Sequence, residues 1–313
     1  MSKKIAWAIS GAGCWLIESF ALIGKILHSK KHKVDLFFSR AGREVSQCYG
    51  VFKPPIPSKE SFITTVREIP NFNGDFFQED FIEKYQWTGI SEKALDKEQI
   101  KSANQKKIKK VIEEATAIDE PQQEEYNYKK LIHDVIFESD EGYSFPTAAS
   151  ASIDKYDLVI ISPATGNTVS KLANGIADSL LTNLGIMASK SPKTKIIVLP
   201  TDYQEGKVKS YLPIMLNSDF CKKCSECSAL WACKPGAIRR KRSKIRLNRL
   251  LCTGCLECVR YCRYGVISFL EETTVVVQKR EAVMTQKLAK HSKFTVVKNP
   301  QELQKIISKE LQI

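Results

Sequence analysis

Eight of the ten cysteines in this 313-residue chain fall between Cys221 and Cys262. Cys221, Cys224 and Cys227 form a CxxCxxC run with Cys233 beyond it, and Cys252, Cys255, Cys258 and Cys262 form CxxCxxCxxxC. Such clustering is a metal signal rather than a disulfide framework. Thiolates are soft anionic ligands, and three of them at every third residue wrap one corner of a [4Fe–4S] cube. Zinc ribbons are the competing reading, but they use paired CxxC knuckles rather than two triple runs. The spacing therefore predicts two cubane clusters.

The segment resembles the two-cluster bacterial-type ferredoxin domain. There the fourth cysteine of each run ligates the other cluster. This implies Cys221, Cys224, Cys227 and Cys262 for one cluster and Cys252, Cys255, Cys258 and Cys233 for the other. Two departures bear on reduction potential more than on the presence of clusters. Five residues instead of three separate Cys227 from Cys233, and Lys234 and Arg263 stand where proline often follows the cysteine. Between the motifs, Lys234, Arg239, Arg240, Lys241, Arg242, Lys244, Arg246 and Arg249 are basic with no acidic residue among them. No aromatic residue is present there to stack on bases, so nucleic acid is not expected. A basic hairpin that attracts an acidic electron-donor protein is the expectation.

A second group of residues suits a phosphate. Gly11-Ala12-Gly13 follows an apolar run, and a glycine turn that opens a helix offers backbone N–H groups and a positive dipole end. The third glycine and the acidic residue of a dinucleotide fingerprint are missing, so a mononucleotide phosphate fits better, with Ser39 adding a hydroxyl. Pro163-Ala-Thr-Gly-Asn-Thr168 is a comparable turn, in which the Asn167 amide could hold a polar group. Cys14 is read as a small packed residue rather than an activated thiol. His28 and His32 lack an HExxH context or a third ligand and are read as ordinary exposed histidines.

These residues need elements to position them. Ile5–Ile9 and Val34–Phe38 read as strands around a helix marked by Leu16, Phe20, Ile23 and Leu27, a βαβ unit that implies a parallel sheet. Tyr156–Ile161 and Lys195–Leu199 continue the sheet, while apolar spacing from Val169 to Leu184 predicts one helix over four turns. Thr274–Val277, Phe294–Val297 and a helix starting at Asn299-Pro300 close the chain. The fold class expected is α/β, a Rossmann-like parallel sheet with an inserted two-cluster ferredoxin domain. The divisions are 1–50 and 143–216 for the α/β domain, 51–142 for an insertion with one charged helix, 217–270 for the ferredoxin-like domain, and 271–313 completing the α/β domain. Lys+Arg exceed Asp+Glu by 13, which calls for an anionic partner. The apolar run after Lys3 and Lys4 is too short for a leader and no stretch approaches a membrane span, so a soluble cytoplasmic protein is expected.

The turn motifs, together with Phe37-Phe-Ser-Arg-Ala-Gly42, Ser144-Phe-Pro-Thr147 and Gly175-Ile-Ala-Asp-Ser-Leu-Leu-Thr-Asn183, resemble the family of homo-oligomeric flavin-containing cysteine decarboxylases and flavin prenyltransferases. Within it the likeness is to the archaeal-type flavoprotein group that includes dihydromethanopterin reductase (acceptor). The resemblance covers residues 1–50 and 143–201 and, more loosely, the tail. It implies FMN bound between subunits of a trimer-based homo-oligomer. Gly11, Ala12, Gly13 and Ser39 would hold the ribityl phosphate, and Ala164, Thr165, Asn167 and Thr168 would line the flavin, with Asn167 the candidate catalytic residue. Gly166 and Cys14 depart from the commonest pattern. The implied activity is oxidoreduction, with electrons passing from a one-electron donor through the clusters to FMN and on to a dihydropterin. The alternatives are an electron carrier with a protein acceptor, and a non-redox decarboxylase or prenyltransferase.

Overall fold

A computed structural model describes residues 2–51, 132–217, 221, 224–241, 244–262 and 264–313. The charged helix expected in the insertion lies outside the described residues. Strands β1 (Lys4–Ile9), β2 (Lys33–Phe38), β3 (Ile132–Phe137), β4 (Leu158–Ala164), β5 (Lys195–Pro200) and, at the far end of the chain, β12 (Phe294–Val296) form one sheet in the order β12-β5-β4-β1-β2-β3. Every pairing in it is parallel. The intervening strands, β6 (Gly206–Leu212) to β11 (Glu271–Val277), pair outside this sheet.

The strands are continuous apolar runs because both faces are covered. Side chains alternate across β1: Ile5, Trp7 and Ile9 pack on one core and Ala6 and Ala8 on the other. The first core takes Leu16, Phe20 and Ile23 from α1 (Leu16–His28), beside which α2 (Arg40–Cys48) follows β2. On the opposite face lie the short α3 (Pro146–Ala149), α4 (Gly166–Ala173) and α5 (Leu180–Lys190), through Ala148, Leu172 and Leu184. Two successive strands run outward from β1 in one direction and β4, β5 and β12 in the other. Adjacent β1 and β4 therefore diverge into different loops, and this switch point opens a crevice at their carboxyl ends.

Four expectations change. The helix expected from Val169 to Leu184 is two helices: Gly175 takes φ +71 and ends α4, and Ser179 begins α5 with a capping box in which Ser179 and Thr182 exchange hydrogen bonds. Ile176, placed on the buried face by spacing alone, is exposed. Ile132–Phe137, assigned to the insertion, is the sheet's edge strand, its Val135 and Phe137 facing one core and Ile136 the other. The strand at Thr274–Val277 does not join the sheet; β11 forms an antiparallel ribbon with β6, since β12 occupies the edge beside β5. His32 is buried beyond the end of α1, its Nδ1 accepting the Lys3 N–H at 3.2 Å and its Nε2 3.1 Å from the Leu311 carbonyl.

The cysteine-rich segment has a small core of its own, including Ile214, Ala237, Ile238, Leu256, Val259 and Ile267. Its elements are β7 (Met215–Leu216) with β10 (Ile267–Ser268), the hairpin β8 (Ile238–Lys241) and β9 (Lys244–Leu247), and two one-turn helices, α6 (Ser228–Ala232) and α7 (Glu257–Tyr261). After it α8 (Lys279–Ala289) and α9 (Pro300–Leu311) flank β12. Among the described residues no helix is long and apolar enough to cross a membrane.

Candidate functional site

The loops after β1 and β4 meet over the switch point. Ser10 N–H and Oγ–H both donate to the Pro163 carbonyl, at 3.2 and 2.6 Å, and Ser10 Oγ accepts the Thr165 N–H at 2.9 Å. Trp7 Nε1 donates to the Ser162 carbonyl at 2.8 Å, below the same loop. Ala164 ends β4 fully buried, and Thr165 caps α4 by accepting the Thr168 N–H, the two hydroxyls lying 3.0 Å apart. Asn167 sits exposed in the first turn of α4. Ala164, Thr165, Asn167 and Thr168 are thus gathered on one wall.

Ser39 is the cap of α2: its Oγ accepts the Gly42 N–H at 2.9 Å, and its own N–H donates to the Ile9 carbonyl at 3.2 Å. That places it beside the end of β1. The glycine turn differs from expectation. It does not open α1, since Cys14 and a left-handed Trp15 (φ +61) intervene. Nor do its glycines use positive φ; they allow α2 to approach. A Cβ on Gly11 would lie 2.5 Å from Ala41 Cβ, and one on Gly13 would overlap Tyr49 Oη.

Sequence reasoning passed over the carboxylates around this crevice. Glu138 accepts the Arg40 N–H at the start of α2 at 2.9 Å. Asp202, just past β5, accepts the Gly166 N–H at the start of α4, and burial raises its pKa. Burial lifts the Glu18 carboxyl to about 7, and burial with Glu18 and Asp202 nearby pushes the Cys14 thiol up to about 12. Cys14 is therefore a packed thiol, not an activated one. Nothing local in the sequence marks Glu138, which follows β3, or Asp202, which follows β5, and Glu18 shows only as an acid in a first helical turn.

In the cysteine segment, Cys233, Cys252, Cys255 and Cys258 line one cavity whose other walls include Ile214, Pro235, Ile238 and Leu256. Burial and its three neighbours Cys252, Cys255 and Cys233 push the Cys258 thiol up to about 12. The Cys48 thiol beside it draws Cys252 below the ordinary thiol value. Cys221, Cys227 and Cys262 lie half-buried at the margin of the same small core, and Cys224 is half-buried with its carbonyl accepting from Arg240. Among the described residues no three His, Cys, Asp or Glu side chains converge at single-ion distances. Four sulfurs around an apolar cavity suit a cube, which presents separate corners to its ligands.

A protein-family model described as Flavoprotein matches residues 1–205. Two curated relatives carry the name dihydromethanopterin reductase (acceptor). That of Methanocaldococcus jannaschii is 30% identical over 307 residues, 97% of this chain and 95% of the relative. That of Methanosarcina mazei is 27% identical over 267 residues, 85% of this chain and 82% of the relative. Among solved structures, Burkholderia xenovorans DmrB, described in complex with FMN as a cubic protein cage for redox transfer, is 17% identical with a TM-score of 0.46, covering 99% of this chain and 96% of that one.

Proposed function

The chain belongs to the Flavoprotein family, and from that premise we propose that it is an iron–sulfur flavoprotein oxidoreductase that reduces a small dihydropterin such as dihydromethanopterin with electrons from a one-electron donor protein. The observation that carries the reading is the gathering of Cys233, Cys252, Cys255 and Cys258 around one cavity in a chain whose sheet opens a crevice between the loops of Ser10 and Thr165. The name shared by the two archaeal relatives supports the substrate class.

In this reading the Gly11–Gly13 turn and Ser39 would hold the phosphate of FMN, and Ala164, Thr165, Asn167 and Thr168 would line its ring. The two cysteine sets, with Cys262 completing Cys221, Cys224 and Cys227, would hold [4Fe–4S] clusters. Bound there, iron–sulfur centres supply single electrons and a flavin exchanges one or two, so together they join a one-electron donor to the two-electron reduction of a C=N or C=C bond. The chain's own residues hold and orient. The Asn167 amide, exposed at the crevice mouth, is free to meet the flavin edge or the substrate. The hydroxyls of Thr165 and Thr168 fix the start of α4 beneath it.

Arg239, Arg240, Lys241 and Arg246 on the β8–β9 hairpin are exposed and would steer an acidic donor. Cysteines kept for cluster ligation rather than disulfides suit a reducing cytoplasm. Tyr143 and Ile153, 99% and 78% exposed, are apolar surface that a trimer-based homo-oligomer would cover.

An anaerobic titration tests the reading. The holoprotein, reduced by dithionite, should be reoxidised on adding a dihydropterin, with one tetrahydropterin formed for every two electrons the protein gives up. Reoxidation by a protein acceptor alone would favour an electron carrier instead, a reading that the exposed basic hairpin also accommodates.

A further inference from the structure

Resting on the iron–sulfur reading above, we infer that Cys48 is a positioning residue for the cluster site of Cys233, Cys252, Cys255 and Cys258, and that this site is the one mounted against the flavin-side loops. The joint lies at the end of α2. Buried Cys48 donates its thiol to the Arg249 carbonyl at 3.1 Å, and its sulfur lies 4.0 Å from the backbone carbonyl oxygen of Cys252. Two residues on, the backbones themselves meet. A Cβ on Gly254 would stand 2.5 Å from Gly50 N, and one on Gly50 would stand 2.8 Å from the Gly254 carbonyl. Both glycines also take positive φ, +68 and +60, so each is required twice over. The cysteine loop 252–255 is thereby clamped to α2 by a side chain and by main chain.

The residue between them faces the other site. Tyr49 Oη fills the space a Cβ on Gly13 would need and donates to the Tyr211 carbonyl. Consecutive residues of one helix end thus touch the cysteine loop and the glycine turn. Ser39, at the opposite end of α2, sits beside β1. The Cys48 thiol thus holds the backbone that carries the ligating Cys252, and outer contacts of that kind orient a metal ligand and tune the site it serves.

The test uses anaerobically purified holoprotein with EPR-monitored redox titration of wild type, Cys48→Ala and Cys48→Ser, and iron, sulfide and FMN analysis of each. The Ala variant should shift one cluster midpoint by about tenfold in the reduction equilibrium, about 59 mV for one electron. The other midpoint and the FMN content should hold, and Ser, which keeps a donor, should restore the first. The shifted signal should be the one abolished by Cys255→Ser and kept in Cys224→Ser. Loss from Cys48→Ala of about four of about eight iron atoms, with FMN retained, also supports the mount. Fully loaded variants in which neither midpoint moves, or both move alike, overturn it. So does loss of all iron together with FMN, which makes Cys48 an ordinary core residue. A wild-type protein without iron sinks the iron–sulfur reading itself, and is seen before any variant is made.

Discussion

Ser10 Oγ accepts the Thr165 N–H at 2.9 Å and donates to the Pro163 carbonyl at 2.6 Å, so one buried hydroxyl ties the loop after β1 to the loop after β4. Both walls of the crevice are held by it. Buried polar groups that lose such a partner are left unpaired at a cost of roughly 1–3 kcal/mol.

Ser10→Ala should therefore destabilise the fold by that amount and loosen the crevice. Thermal unfolding and the FMN retained after gel filtration measure the two effects. An unchanged melting temperature with full flavin would mean that the latch is not structural.

Glu18 predicts a pH dependence. Its folded-state pKa is raised by burial from 4.5 to about 7, so between those values the folded chain holds a proton that the unfolded chain has released. Stability then falls as pH rises through that window and stays lower above it. Glu18→Gln should flatten this slope and gain on wild type at pH 8, by roughly 3 kcal/mol at most. Urea unfolding at pH 5 and pH 8 reads it; parallel profiles for the two proteins would contradict the burial of the carboxyl.

Denaturing release and chromatography should yield FMN, since the sequence holds a single short glycine turn and no complete dinucleotide fingerprint. Asn167→Ala should weaken flavin retention or pterin turnover while cluster reduction proceeds unchanged. Recovery of FAD would mean that the phosphate turn has been misread.

Cys255→Ala should separate the two functions. Cys255 lines the cysteine cavity and none of the crevice residues, so its loss should remove about four of about eight iron atoms and leave FMN bound. Flavin reduction by a one-electron protein donor should then fail in stopped-flow absorbance. Turnover at the wild-type rate with that donor would take the clusters off the electron path.

Local chemistry made much of this legible in the sequence. Ile5–Ile9, a short apolar run closed by a glycine turn, reads as the buried strand it forms, the spacing of Cys252, Cys255 and Cys258 groups three sulfurs that line one cavity, and Pro163–Thr168 announces its turn through its own residues. Periodicity was less reliable where a break costs little. Spacing carried one helix through Asn174-Gly175, but a glycine at φ +71 and a capped Ser179 make two helices with the same apolar positions.

Partnerships across long separations required the tertiary structure. His32 has the composition of a surface residue and is buried because the Leu311 carbonyl and the Lys3 N–H meet its two ring nitrogens. β3 joins the sheet only after a long excursion, so its apolar alternation had no neighbour to be matched against. Gly11 and Gly13 read as a phosphate turn, yet what demands glycine there is the approach of Ala41 and Tyr49. Cys48 and Cys252 stand 204 residues apart, and nothing local marks either Gly50 or Gly254 as more than a turn residue. A single glycine records that a backbone bends or is approached. Which backbone approaches it is decided by packing of the whole chain, because close contact is a property of two segments and each carries only its own half of the requirement.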